Sequence, residues 1–341
     1  MAKYQVDDIR NIALCGHGSA GKTTLVDKIL TSTGTLSRQA SVDDGTSICD
    51  FDDEEKVHKY SIEATVTHFD HKKKHFNLID TPGYPDFIGQ TIGALRAADT
   101  AAIVINASAG IEVNTRRVFA EAKAAGIGRM ILVNKLDADN LDFPALLATI
   151  QEIFGPECVP LNVPIGIGRN FQGVASTLTL PGDAAGAVID PAEIHDSLIE
   201  SIVMADEAMM ESYLEGKMPT DEQLSTLLVQ AVADGSLVPI ICVSGKTGTG
   251  LAELLDALVM CALPPGVPKR TAQNAAGEPV ELKADPAGPL VAQVFKTRID
   301  PFVQKLNFIR VFSGTLKRDA VVPATGVRKG LKIAQLLCVQ A

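Results

Sequence analysis

Apolar positions along the chain fall into two rhythms. Short uninterrupted runs read as strands buried on both faces: Ile9 with Ile12-Ala13-Leu14-Cys15, then Ala101-Ala102-Ile103-Val104-Ile105, Met130-Ile131-Leu132-Val133 and Pro239-Ile240-Ile241-Cys242-Val243. Between them Leu25, Val26, Ile29 and Leu30 recur at helical spacing, and the same period predicts helices over 113–125, 143–154 and 251–262. Strands alternating with helices predict a mostly parallel sheet covered on both faces. Two further runs, 62–67 and 76–80, flank the polar turn 70–74 and read as a hairpin at a sheet edge.

The remaining stretches divide the chain. Residues 34–60 are polar, irregular and acidic, a long loop of the kind that is functional or mobile, with its acidic run read as a solvated face. More chain separates 137 from 244 than one helix needs, so an insertion is expected over about 155–237. Its helices are expected at 191–214 and 220–234, the second capped by Thr220 or Asp221 and stopped by Gly235. A Pro-, Gly- and Ala-rich stretch, 266–289, reads as a linker. From 290 to 341 the pattern turns to short β-type runs around 291–295 and 308–312, with turns at Asp300-Pro301 and Ser313-Gly314. These are too few strands to close a barrel. The expected organisation is a first domain over 1–265 carrying the insertion, the linker, and part of an all-β barrel domain.

Composition narrows the function classes. In 341 residues, 46% are hydrophobic and 21% charged, ordinary for a soluble protein with a sizeable core. No apolar run approaches the roughly 20 residues that span a bilayer, and the N-terminal residues lack a signal peptide's apolar segment, so a cytoplasmic protein with no membrane partner is expected. Six scattered cysteines without a Cys-x2-Cys pair suit reduced thiols. A formal net charge of -10 argues against binding nucleic acid through a general field and leaves only local patches for such a partner.

Candidate chemistry lies at the strand ends. Gly16-His17-Gly18-Ser19-Ala20-Gly21-Lys22-Thr23 fits Gly-x4-Gly-Lys-Thr between a strand and a helix, the loop whose backbone N–H groups cradle phosphates. Lys22 would reach the β- and γ-phosphates and the Thr23 hydroxyl would ligate Mg²⁺. Asp80-Thr81-Pro82-Gly83 follows an apolar strand directly, where an acid can hold Mg²⁺ and the Gly83 N–H can sense a γ-phosphate. Asn134-Lys135-Leu136-Asp137 ends another strand. There Asp137 can accept from the N1–H and N2 amine that guanine has and adenine lacks, which points to GTP and GDP. Ser244-Gly245-Lys246 ends the last strand of the domain. His68, His71 and His75 lie close in sequence, but a polar hairpin tip accounts for them without a metal.

Together these motifs resemble the translational GTPases, most closely elongation factor G and its paralogues, and the resemblance covers nearly the whole chain. The stretch 16–24 looks like that family's Gly-His-x-Asp-x-Gly-Lys-Thr-Thr, and Asp80-Thr81-Pro82-Gly83-Tyr84-Pro85-Asp86-Phe87 looks like its Asp-Thr-Pro-Gly-His-x-Asp-Phe. Asn134 to Asp137 matches its guanine motif, and Ser244 stands where its last base-contacting loop begins. Val163-Pro164-Ile165-Gly166 and Phe171-Gln172-Gly173-Val174 resemble its insertion, while Asp300-Pro301-Phe302 and Arg310-Val311-Phe312-Ser313-Gly314 resemble its second domain. The family's later domains, which enter the ribosomal decoding region, lie beyond this match. The resemblance implies an α/β P-loop GTPase domain with an α+β insertion, followed by part of an all-β barrel domain. It also implies a nucleotide site of His17, Gly18, Ser19, Ala20, Gly21, Lys22, Thr23, Thr24, Asp80, Gly83, Asn134, Lys135, Asp137, Ser244, Gly245 and Lys246. Mg²⁺ would sit on Thr23, Ser61 and Asp80.

Departures from the family pattern gather near the cleavage chemistry. Ser19 replaces the P-loop Asp, Lys59-Tyr60-Ser61-Ile62 stands where the family reads Gly-Ile-Thr-Ile, and Tyr84 occupies the place of the His that positions the attacking water. A phenol with a pKa near 10 donates a hydrogen bond but does not become a cation at neutral pH. Lys22, Gly83 and Tyr84 are the catalytic candidates. The resemblance therefore implies a factor, monomeric off the ribosome, that couples GTP hydrolysis to ribosomal translocation. The alternative is a ribosome-binding switch with a regulatory or recycling role and weak hydrolysis. An ATP-using kinase is disfavoured by Asn134 and Asp137.

Overall fold

The computed structural model describes residues 4–274, 276–300 and 304–340. The chain divides into two compact units, Met1–Pro268 and Lys269–Ala341. In the first, the expected alternation produces β1 (Ile9–Gly16), α1 (Lys22–Ser32), α2 (Asp53–His58), β2 (Thr65–His71), β3 (Lys74–Asp80), α3 (Ile88–Ala97), β4 (Thr100–Asn106), α4 (Val113–Ala124), β5 (Gly128–Asn134) and α5 (Phe143–Phe154). It continues through β6 (Cys158–Pro160), β7 (Asn162–Ile165), β8 (Gly173–Ser176), α6 (Pro191–Val203), α7 (Glu207–Leu214), α8 (Asp221–Asp234), β9 (Val238–Cys242) and α9 (Leu251–Cys261).

Seven strands form one sheet in the order β2-β3-β1-β4-β5-β9-β6, parallel except for the edge strand β2. Helices α3 and α4 pack against β1, α4 also against β4 and β5, and α9 against β9. That cover is why the central residues of the inner strands are apolar, with Ile12, Ala13, Cys15, Ile103, Ile131, Ile240 and Cys242 fully buried. Register matters most for function. Leu14 pairs with Asp80, Gly16 with Val104, Asn106 with Asn134 and Val133 with Cys242. The carboxyl ends of these strands thus finish along one edge, the crevice where open α/β sheets bind ligands.

The structure corrects several expectations. The hairpin strand runs over Thr65–His71 rather than 62–67, because the preceding residues are bound by a side chain instead of a partner strand. Glu55, fully buried, accepts from the Ile62 and Glu63 amides at 2.8 and 3.1 Å. Its other oxygen accepts from the Asp52 amide at 3.1 Å and closes a capping box with Asp52 at the start of α2. The acidic stretch is therefore not a solvated face throughout: Asp50 and Glu55 are interior, although Asp43, Asp44, Asp53 and Glu54 are exposed. The insertion begins later than 155, since β6 is a strand of the main sheet; β7 and β8 pair separately. The helix expected over 191–214 is two helices, because Asp206 takes the Met209 amide and starts a new N-terminus. Thr220 caps α8 in a capping box with Gln223, and Gly235 ends it in a left-handed conformation.

In the second unit, part of the expected linker folds as a hairpin of β10 (Arg270–Gln273) and β11 (Pro279–Leu282). Gly277, at φ 81°, supplies the left-handed turn residue that such a hairpin needs. Strands β12 (Val291–Asp300) and β13 (Gln304–Ser313) pair antiparallel, as do β14 (Val321–Val322) and β15 (Leu331–Lys332). Pro301 and Phe302 of the expected turn lie outside the described residues. Among the described residues this unit holds three two-stranded sheets and no closed barrel.

Core packing at the edge hairpin centres on Phe76, fully buried and stacked on Phe69 with ring centroids 4.7 Å apart. Phe76→Ala should cost about 3–5 kcal/mol of stability. A fall in the chemical denaturation midpoint checks this, with Val57→Ala as the exposed-site control.

Candidate functional site

The phosphate-type loop is built as the spacing requires. Gly21, at φ 88°, turns the chain into α1, and a Cβ there would stand 2.6 Å from Asn134 Nδ2. Ser19 also takes a left-handed conformation, at φ 59°, and is exposed. Lys22 is buried beneath the loop, where Nζ donates to the carbonyls of His17 at 2.8 Å and Gly16 at 3.3 Å. Burial pulls its pKa down, and the charge of Asp80 pushes back. His17 Nε2 faces Glu112 at 3.3 Å.

Next to Lys22 is a knot of oxygen atoms. The Thr23 hydroxyl donates to Asp80 Oδ2 at 2.6 Å and lies 3.2 Å from Ser61 Oγ, which donates to Asp50 Oδ1 at 2.7 Å. Asp80 Oδ1 is buried without a hydrogen-bond partner. Burial raises the Asp80 pKa to about 7 against the opposing pull of Thr23 and Lys22. It raises Asp50 too, with Glu55 adding to the effect. Asp27, fully buried in α1, is pushed up to about 6 by burial and by Asp50, while Ser47 and the Ile48 amide act the other way.

Gly83 sits directly on the loop: a Cβ built on it would be 2.5 Å from Lys22 Nζ and 2.6 Å from Gly18 N. Only glycine fits there. Tyr84, 37% exposed, lays its ring over Gly18 and against Tyr60, with centroids 4.8 Å apart.

At the other end, the Asn134 side chain joins three segments. Its Nδ2 donates to the Ala20 carbonyl at 2.9 Å, and its Oδ1 accepts from the Gly245 amide at 2.9 Å. Ser244 Oγ donates to Asp137 Oδ1 at 2.6 Å and accepts from the Thr247 amide at 3.1 Å. Lys135 follows at φ 65°, Thr24 is half-buried in the first turn of α1, and Lys246 is exposed. The sequence-expected residues of 16–24, 80–84, 134–137 and 244–246 thus share one edge of the sheet. Of the three histidines, His68 and His75 lie with ring centroids 5.6 Å apart, His75 pairs with Asp70 and His71 turns to Asp256; among the described residues no three acidic, His or Cys side chains are set to hold a metal. Asp27, Thr91 and Asn114 are site neighbours that no sequence motif marks. Asp52-x-x-Glu55, a capping-box spacing, was the one local signal for Glu55.

A parallel sheet with a Gly-x4-Gly-Lys-Thr loop at its switch edge, facing an acid and an Asn-Lys-x-Asp turn, defines the class of P-loop nucleotide-binding domains. Residues 7–264 match the elongation factor Tu GTP binding domain, and the chain belongs to that family of GTPase domains, which bind guanine nucleotide. It is 35% identical over 341 aligned residues to the elongation factor G-like protein of Mycobacterium tuberculosis (strain ATCC 25618 / H37Rv), covering 93% of this chain and 46% of that protein. It is 33% identical to elongation factor G of Thermotoga neapolitana, covering 94% of this chain and 49% of the relative. The crystal structure of ttk003000868 from Thermus thermophilus superposes with a TM-score of 0.80 at 29% identity, over 96% of this chain and 51% of that one. This chain therefore spans about half the length of the relatives it matches. Among the described residues no helix is long and apolar enough to cross a membrane.

The Asp27 carboxyl gives a pH test. Its folded pKa of about 6 exceeds the roughly 3.9 of an unfolded Asp, so between these values the unfolded chain releases a proton that the folded chain keeps. Its contribution to stability is present below about pH 4 and is lost as pH rises through about 6. Asp27→Asn removes that loss. Thermal midpoints in a metal chelator should show the variant gaining on the parent between pH 4 and 7; a pH-independent difference would refute the assignment.

Proposed function

We propose that this chain serves a translation factor of the elongation factor G type, in which GTP binding and hydrolysis drive movement of tRNA and mRNA on the ribosome. The observation that carries the reading is the convergence of all three nucleotide motifs on one sheet edge, in a chain whose relatives are named elongation factor G. With a net charge of -10, contact with ribosomal RNA and protein falls to local patches. A cytoplasmic location and a monomeric state off the ribosome belong to the same reading.

In this proposal the amides of His17 to Thr24 cradle the phosphates. Lys22 exchanges the carbonyls of Gly16 and His17 for β- and γ-phosphate oxygens. The oxygen knot fits Mg²⁺, a hard cation usually held by one or two carboxylates plus substrate phosphates, because Asp80 Oδ1 is buried and unpartnered beside two hydroxyls. Thr23, Ser61 and Asp80 would hold it, directly or through water. Bound there, the ion neutralises charge on the phosphates. Asp137 receives the guanine N1–H and N2 amine, with Ser244 fixing its orientation from the opposite oxygen. Asn134 locks the base loops to the phosphate loop, and Lys135, Gly245 and Lys246 border the base.

Base recognition is tested by calorimetric titration. GTP and GDP should bind well and ATP poorly, since buried groups matched to guanine are left unpaired by adenine. Asp137→Asn should weaken GDP by about 10- to 100-fold. Equal affinity for ATP and GTP would defeat the reading.

The cleavage step is proposed to be slow, with Tyr84 at the water-positioning place. Its ring is committed to contacts with Gly18 and Tyr60, which supports this. Phosphoryl transfer depends mostly on positioning and charge stabilisation. In the protein assayed with ribosomes, Tyr84→His should therefore raise single-turnover GTP cleavage by about tenfold or more at little change in GTP affinity. A parent rate already matching His-containing relatives, or no gain on substitution, would show that Tyr84 positions the water itself. Absence of any ribosome stimulation would count against the translation-factor reading.

A further inference from the structure

Gly83 is gripped by two buried side chains that belong to none of the nucleotide motifs. The Thr91 hydroxyl, in α3, donates to the Pro82 carbonyl at 3.2 Å, and Asn114 Nδ2, in α4, donates to the Gly83 carbonyl at 2.8 Å. Thr91 is fully buried and Asn114 is 1% exposed. Each placement runs against local preference. A threonine inside a helix readily satisfies its hydroxyl on the carbonyl four residues back, yet Thr91 reaches out of α3 to another segment. Asn114 stays in the interior with its Oδ1 unpartnered, a burden that an apolar side chain would avoid.

The geometry of the peptide unit says what these bonds do. In a trans peptide the C=O and N–H groups point to opposite sides. Holding the Pro82 carbonyl toward α3 therefore turns the Gly83 N–H away from that helix, and holding the Gly83 carbonyl toward α4 turns the Tyr84 N–H away from it. Gly83 itself rests against Lys22 Nζ and Gly18, at the mouth of the phosphate loop.

We propose that Thr91 and Asn114 are positioning residues that aim the Gly83 and Tyr84 amides at the terminal phosphate of a nucleoside triphosphate, and so set the preference for triphosphate over diphosphate. This rests on the reading of Gly83 as the γ-phosphate contact. GDP lacks the group that these amides would meet, so its binding is indifferent to how they are aimed. A hydrogen bond to a charged oxygen, lost by misdirection, corresponds to about a tenfold change in affinity.

The test compares the affinities of the β,γ-imido analogue of GTP and of GDP, with Mg²⁺, for the 341-residue chain and its variants. Thr91→Val keeps the shape and removes the hydroxyl. It should weaken the analogue by about tenfold while GDP stays within about twofold. Thr91→Ser, which keeps the hydroxyl, should restore most of the analogue's affinity. Asn114→Ala should act in the same direction as Thr91→Val. Equal losses for both nucleotides, no loss for either, or failure of Thr91→Ser to behave like the parent would overturn the inference. A parent chain that binds GDP but gains nothing from the terminal phosphate would overturn the reading of Gly83 and the inference with it.

Discussion

Lys22 and the carboxylates of Asp27, Asp50 and Asp80 are all withdrawn from water at the end of one sheet, and the site is organised around the cost of that burial. An ionised carboxylate in the interior is tolerable only with partners. Asp80 takes the Thr23 hydroxyl and the field of Lys22, and Asp50 takes Ser61, yet both still have raised pKa values. The excess of buried carboxylates over the single ammonium is an arrangement that a hard cation would relieve. The depressed pKa of Lys22 belongs to the same arrangement, since the charge of Asp80 works against its desolvation.

The segments that face this corner are fastened differently from the sheet behind them. Between α1 and β2 the chain has little regular structure beyond the short α2, and it is held by side-chain-to-backbone bonds. Glu55 holds three amides, and the Thr65 hydroxyl donates to the Cys49 carbonyl. Pro82 and Gly83 are held likewise by Thr91 and Asn114. Such attachments can be exchanged a few at a time, whereas β1, β3, β4 and β5 share continuous ladders and a fully buried core. A rigid sheet carrying locally tethered loops is the division of stability expected where loops answer to a ligand.

The two ends of the site differ in construction. At the base end the protein satisfies itself: both ends of the Asn134 amide and one Asp137 oxygen already have partners, so the loops around 134 and 244 are preformed. At the other end, Tyr60 and Tyr84 meet across the two loops with their ring planes tilted by 55°, and the Tyr84 ring covers Gly18. The motifs that resemble the family most closely include those at the first end, and of the departures Tyr60, Ser61 and Tyr84 lie at the second while Ser19 stands within the loop 16–23 itself.

Much of this was legible in the sequence because it depends on local order. Uninterrupted apolar runs specify buried strands, helical spacing specifies the covering helices, and Gly-x4-Gly-Lys-Thr, Asp80-Thr81-Pro82-Gly83 and Asn134-Lys135-Leu136-Asp137 are contiguous, so each carries its chemistry in a few adjacent residues. Thr220 or Asp221 at the start and Gly235 at the stop marked the ends of α8 for the same reason, and the structure puts the cap on Thr220. What only the tertiary structure decided joins residues far apart in the chain. Asp50 and Glu55 look like solvated acids until the fold wraps them inside, where one meets Ser61 and the other caps three amides. β6 looks like part of the insertion until it pairs with β9, and Thr91 and Asn114 are ordinary helix residues until α3 and α4 pack beside Gly83. A side chain's burial and its hydrogen-bond partner are set by packing between elements, and a pattern read along the chain does not contain them.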